Sequence, residues 1–336
     1  MSGRLTIGLL NNMPDAALLA SERQFGGLLA EAAGGDIDVD LRLFSLREIE
    51  RDERALASMH GRYEGGADAL RAAGLDGLIV TGTEPRAADL PDEPYWPALA
   101  SVIDWTQGAQ VPVIWSCLAA HAAVLQQAGV RRRPLAAKRS GVFACHKAGD
   151  DPLLAGLPAV FPMPHSRWNE LDEGDLTAAG YVVLTRSAVA GVDSFRRPGP
   201  AAQLFFQGHP EYQADTLLKE YARDVGRFLT GERADHPVPP YWCFDADAER
   251  ALAQLAARAR RRPDVALLPA YLEIIHQARP SRGWLTPAVA LYRAWLEAAV
   301  ARRMGHRAPD GRWPRDPFLP LGVRRERRLV PRRAVA

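Results

Sequence analysis

Cys117, His209 and Glu211 are the residues whose types and placement in this chain suit them to act together. A cysteine becomes a nucleophile when a base takes its proton, and a carboxylate commonly holds that base in the right orientation. His209 and Glu211 stand at i and i+2 in Gln207-Gly208-His209-Pro210-Glu211, so on extended backbone they share one face. Gly208 allows close backbone approach, and Pro210 disfavours helix between them. Cys117 sits where an apolar run, 111–115, passes through Ser116 straight into a helical pattern that stops at Gly129. A free cysteine is often only buried filler, and a lone histidine is more often structural than catalytic. The strand-to-helix turn argues otherwise here. It lifts Cys117 above a helix N-terminus, whose unpaired N–H groups favour a thiolate and can hold an oxyanion. By role, the three residues make a nucleophile, a base and an orienting acid.

The elements that must position them alternate. The pattern predicts strands over 5–10, 39–46, 75–81, 111–115, 159–163, 181–185 and 202–206, and helices over 16–33, 95–107, 118–128 and 214–229. Segment 47–74 reads as mostly polar and helical, and 130–147 as a loop or hairpin. Most of the strands are nearly all apolar, which implies an α/β fold with a mostly parallel sheet covered by helices on both faces. Ligands bind at the carboxyl edge of such sheets, where Cys117 falls. Beyond about Asp235 a proline-rich connector leads to helical patterns over 246–262, 267–278 and 286–304. Two parts are therefore expected: a catalytic domain over 1–240 and a C-terminal helical extension with a basic tail over 241–336.

At 336 residues, 47% hydrophobic and 24% charged, the chain can bury a full core. Its three cysteines, Cys117, Cys145 and Cys243, are odd in number and widely spaced. That argues against a disulfide framework and for a reducing, cytoplasmic compartment. No apolar run approaches the ~20 residues of a membrane span, and the N-terminus lacks a signal-peptide pattern. Neither CxxC nor HExxH occurs, so no metal site is expected. The net charge of +2 is unevenly placed, with basic runs at Arg260–Arg262 and from Gly322 onwards. A solvated face and a frayed terminus account for these runs, and no aromatic interleaving supports a nucleic-acid partner.

The chain resembles the homoserine O-acyltransferases (succinyl or acetyl), a family with the class I glutamine amidotransferase-like, flavodoxin-like three-layer fold. The residues that carry the likeness are Asn12-Met13-Pro14, Ser21–Phe25, Asp76–Gly82, Tyr95-Trp96, the Cys117 turn, Lys138–Phe143, Pro164–Arg167, and Gly208–Tyr212 on to Arg223-Asp224. They run in family order over roughly 4–240, with a weaker echo at Leu291–Val300. The resemblance implies a ping-pong acyl transfer in methionine biosynthesis with no bound cofactor. Succinyl-CoA or acetyl-CoA would be the co-substrate, and the protein a homodimer acting on small molecules. It further implies that Cys117 takes the acyl group, that His209 is the base and that Glu211 orients it. The Leu118 N–H and the backbone near Thr83 would hold the oxyanion, and Lys138, Ser166 and Arg223 would bind the amino acid.

Several departures bear on substrate. Where the family sorts succinyl from acetyl donors by Gly or Glu, ungapped counting places Arg86, in Thr83-Glu84-Pro85-Arg86. A cation there can pair with a succinyl carboxylate and does not resemble the acetyl-type Glu. The family's Lys-Lys after Met13-Pro14 is Asp15-Ala16, which removes positive charge near the expected CoA site, and 247–281 looks inserted. These differences also leave serine open as acceptor. Two further readings compete: a glutamine amidotransferase-type hydrolase with the same triad, and a non-catalytic interaction protein. The first lacks the glycines that flank a glutaminase cysteine; the second gives no reason to keep all three triad roles filled.

Overall fold

The computed structural model describes residues 4–305, which lay down the strands β1 (Leu5–Leu10), β2 (Val39–Ser45), β3 (Tyr63–Gly65), β4 (Gly77–Val80) and β5 (Val113–Ser116). Further along come β6 (Arg133–Lys147), β7 (Val160–Glu170), β8 (Val182–Ser187), β9 (Gly191–Arg197) and β10 (Gln203–Phe206). The helices are α1 (Asp15–Ala33), α2 (Glu53–Met59), α3 (Gly66–Ala72), α4 (Trp96–Gly108), α5 (Leu118–Ala128) and α6 (Glu173–Ala178). They continue as α7 (Thr216–Leu229), α8 (Ala246–Arg261), α9 (Leu268–Gln277) and α10 (Leu285–Arg303).

All ten strands join one sheet in the order β3-β2-β1-β4-β5-β10-β9-β8-β6-β7. From β3 to β10 every pairing is parallel; from β10 to β7 every pairing is antiparallel. The central strands are continuous apolar runs because both faces are covered. Ile79, Ile114, Leu204 and Phe206 face one helical layer, with α1, α7 and α10. Leu78, Val80, Val113, Trp115 and Phe205 face the other, with α4 and α5.

The parallel half matches the alternating pattern of the sequence except at β3, a three-residue edge strand inside segment 47–74, too short and polar to show a strand pattern where helix was expected; the antiparallel half differs more widely. Segment 133–147 is one long strand and not a loop or hairpin, and β7 runs on through His165 and Ser166 to Glu170. The unforeseen β9 carries buried polar residues, Asp193 and Ser194, that break the apolar signature of a core strand.

The C-terminal helices share the core of the sheet's first face: Leu252, Tyr271, Leu291, Tyr292, Trp295 and Leu296 are all buried in it. The indole of Trp295 rests on Gly77, where an added Cβ would come within 2.8 Å of the ring. Among the described residues, no helix is long and apolar enough to cross a membrane. The arginine-rich tail lies outside the described residues.

Candidate active site

The carboxyl ends of β1, β4, β5 and β10 align in register, Leu10 beside Val80 and Ser116 beside Phe206. The residue after each strand therefore reaches the same edge: Asn11, Thr81, Cys117 and Gln207. The Thr81 N–H donates to Leu10 O and the Cys117 N–H to Phe206 O, at 3.0 and 2.8 Å. Buried Asn12 ties this edge together, its N–H donating to Thr81 Oγ1 and its Oδ1 accepting from the Leu46 N–H.

Cys117 has φ 50° and ψ −108°, a strained backbone that a non-glycine residue holds only where the surroundings enforce it. Its carbonyl already accepts from Ala120 and His121, so α5 starts directly behind the thiol. Leu118 is the first residue of that helix, where N–H groups have no intrahelical acceptor. Against it lies the turn after β4. A Cβ on Gly82 would sit 2.3 Å from Leu118 Cβ and 3.3 Å from the Ala119 nitrogen, so glycine is required for that approach. The turn continues into Thr83.

His209 is buried, and its Nδ1 lies 2.8 Å from Glu211 Oε1. Its Nε2 has no close hydrogen-bond partner among the described residues, and the Cys117 sulphur interacts with the ring. Burial alone would push the imidazole down, but the Glu211 carboxylate and then the Cys117 sulphur outweigh it and hold His209 well above the ordinary histidine range. The triad residues chosen from sequence thus meet. Arg132 and Arg167 also interact electrostatically with the Cys117 sulphur. Arg167, almost wholly buried, donates to the carbonyls of Asn169 and Ala190.

A hub that sequence reasoning missed joins the strand end before His209 to the helix behind Cys117. Gln207 Oε1 accepts from the Leu171 N–H and lies 3.0 Å from His121 Nε2, while Nε2 of Gln207 donates to Val192 O. Burial pushes His121 down from the usual 6.5 to about 3, so it is a neutral member of this hub.

Lys138, Ser166 and Arg223 gather beside the triad. Lys138 Nζ bridges Glu220 and Asp224 at 3.3 and 3.0 Å, and the Ser166 hydroxyl donates to Glu220. Arg223 turns to its neighbour Asp224 at 2.8 Å and stays half exposed. The structure adds Glu220, Asp224 and Tyr212 to the cluster. The Tyr212 hydroxyl donates to Glu220 at 2.5 Å, and its ring stacks on His209 with centroids 4.2 Å apart. The i, i+4 spacing of Glu220 and Asp224 on α7 was the available signal for two of these.

Arg86 lies on the wall of a cavity of about 400 Å³ that Thr83, Pro14 and Tyr95 also line. Its N–H donates to Glu93 at 2.6 Å, and its guanidinium pairs with Glu50 at 2.7 Å, largely in solvent. Asp15, Glu48, Glu50, Glu84 and Glu93 make the remaining wall acidic. Beneath Gly208, Cys145, His165 and Asp193 bring a thiol, an imidazole and a carboxylate within 4.8 Å of one another, all buried. They stand on three different strands, so no sequence spacing signals them.

A family profile described as homoserine O-succinyltransferase (HTS) matches residues 2–305. A homoserine O-succinyltransferase of Methylorubrum extorquens is 50% identical over 304 residues, 90% of this chain and 88% of that protein. One of Rhodopseudomonas palustris is 48% identical over 292 residues, 87% of each chain. Among solved structures, a glutamine amido transferase from Methylobacillus flagellatus superposes with a TM-score of 0.49 at 16% identity, over 88% of this chain and 94% of that one.

Proposed function

Because the chain belongs to the homoserine O-succinyltransferase family, we propose that it moves a succinyl group from succinyl-CoA to the hydroxyl of L-homoserine through a Cys117 acyl-enzyme, a step of methionine biosynthesis. The observation that carries the mechanism is Cys117, strained above a helix N-terminus, with His209 held at its sulphur by Glu211. In the first half-reaction the Cys117 sulphur attacks the thioester carbonyl. The Leu118 N–H and the Thr83 turn stabilise the oxyanion, the bond to CoA sulphur breaks, and His209 passes the thiol proton to the leaving thiolate. In the second half, His209 takes the proton of the acceptor hydroxyl as its oxygen attacks the acyl-enzyme. The Cys117 thiolate leaves and recovers that proton.

Lys138, Ser166 and Arg223, with Glu220 and Asp224 behind them, supply both charge signs for an amino acid that carries an amine and a carboxylate. Arg86, on the wall of the cavity beside Thr83, is the cation for the succinyl carboxylate, displacing its exposed tie to Glu50. Initial rates with succinyl-CoA or acetyl-CoA against homoserine or serine test the assignment. Parallel double-reciprocal lines and turnover highest with succinyl-CoA and homoserine support it. Turnover only with acetyl-CoA, only with serine, or of glutamine alone would replace it.

A further inference from the structure

The segment that carries the base is strapped between two strands. The Gln207 N–H donates to Asp193 O on β9 at 2.7 Å, and the His209 N–H donates to Pro164 O on β7 at 2.8 Å. Gly208 lies between these bonds, pressed onto a floor of side chains. A Cβ there would meet Asp193 Oδ1 at 2.3 Å, Met163 Cγ at 2.9 Å and His165 Cε1 at 3.2 Å. The floor is itself fixed. Asp193 Oδ2 accepts from the Thr185 hydroxyl at 2.7 Å, and Thr185 lies 2.5 Å from Ser194 Oγ. His165 Nε2 stands 3.3 Å from Asp193 Oδ1, with both residues at 0% exposure, and its ring packs edge-on against Phe143.

A carboxylate and an imidazole without solvent cost free energy that an apolar pair of the same shape would not. The described fold gives this pair no contact with solvent, and the Cys117–His209–Glu211 chemistry does not use it. What the pair contacts is the backbone that aims His209. The His209 ring, held by Glu211 on one side and stacked on Tyr212, has little freedom of its own. The height of the 207–209 backbone therefore sets where Nε2 meets the thiol.

We propose that Gly208 and the buried Asp193–His165 pair beneath it are positioning residues for His209, setting its height against Cys117. The proposal rests on the reading of His209 as the base. A displacement of about 1 Å at a reacting group costs about a hundredfold in rate. Gly208→Ala, forced off the floor, should lower kcat by about that factor with the KM for succinyl-CoA unchanged, because donor binding is untouched. Asp193→Ala, which drops the floor, should lower kcat about tenfold, again at constant KM.

The deciding measurement is the double-mutant cycle, with circular dichroism and thermal melts confirming that each variant folds. If the contact sets the height, Gly208→Ala/Asp193→Ala gains back room for the added methyl and turns over at least about tenfold faster than Gly208→Ala alone. Losses that simply multiply would overturn the proposal, as would a rise in KM in place of a fall in kcat. Should Gly208→Ala fail to fold, Asp193→Ala decides alone: a folded variant with wild-type kcat contradicts the proposal. A wild-type protein that forms no acyl-enzyme would instead sink the underlying reading of the site, and this proposal with it.

Discussion

The donor role proposed for Arg86 can be tested at the residue itself, because its surroundings leave its charge free to be changed. Its guanidinium is tied to Glu50 in a pair more than 70% exposed at both ends, the kind of tie that a substrate carboxylate displaces readily. Its backbone is fixed more firmly, since the Glu93 carboxylate accepts from the N–H groups of both Arg86 and Ala87. Arg86→Glu should therefore leave the loop in place while reversing the charge that faces the acyl end. We expect kcat/KM with succinyl-CoA to fall at least about tenfold, while the value with acetyl-CoA, which has no distal charge, changes less. Equal losses with both donors would show that Arg86 does not read the acyl group. Residue types told much at this scale: Cys117 at a strand-to-helix turn and His209 and Glu211 at i and i+2 were chosen from local pattern, and the structure places His209 against Glu211 and Cys117. Glu220, Asp224 and Gln207 were not so chosen, because a carboxylate or amide on a helix or strand end has many ordinary uses until its neighbours in space are known.

The central parallel strands announced themselves because burial on both faces leaves unbroken apolar runs. The antiparallel strands that complete the site did not. β9 buries Asp193 and Ser194, and β6 opens with exposed residues, so neither shows a clean period. Helix α10 was legible from its spacing of Leu291, Trp295 and Leu296, but the surface it covers was not. It packs on β1 and β4 beneath the site, with Trp295 on Gly77, and Arg293 pairs with Asp36 at the end of α1. Trp295→Ala leaves a large cavity against the sheet and should cost roughly 3–5 kcal/mol in urea unfolding. A loss below about 1 kcal/mol would show that α10 is not part of the cooperative core.

At the scale of the molecule, the buried histidines among the described residues divide into two kinds with opposite pH signatures. His121 and His165 are neutral when folded, pushed down by burial, but accept a proton in the unfolded chain. Their contribution is complete above pH 6.5 and is lost as the pH falls, for His121 down to about 3. His209, raised by Glu211 and Cys117, stabilises below its unfolded value and loses that contribution as the pH rises through its folded one. His121→Gln keeps a polar group near Gln207 but removes one titration. Its urea midpoint should therefore fall less steeply than the wild type's from pH 6.5 towards pH 4, by about one proton in the linkage slope. Parallel pH profiles would contradict the assignment of His121 as a buried neutral group.

The central claim is that Cys117 carries the succinyl group between the two substrates. Intact-protein mass spectrometry after brief mixing with succinyl-CoA tests it most directly. We predict a gain of one succinyl group, mapped to Cys117, absent in Cys117→Ala and discharged when homoserine is added. Turnover in Cys117→Ala at the wild-type rate, or an adduct that homoserine leaves in place, would contradict it.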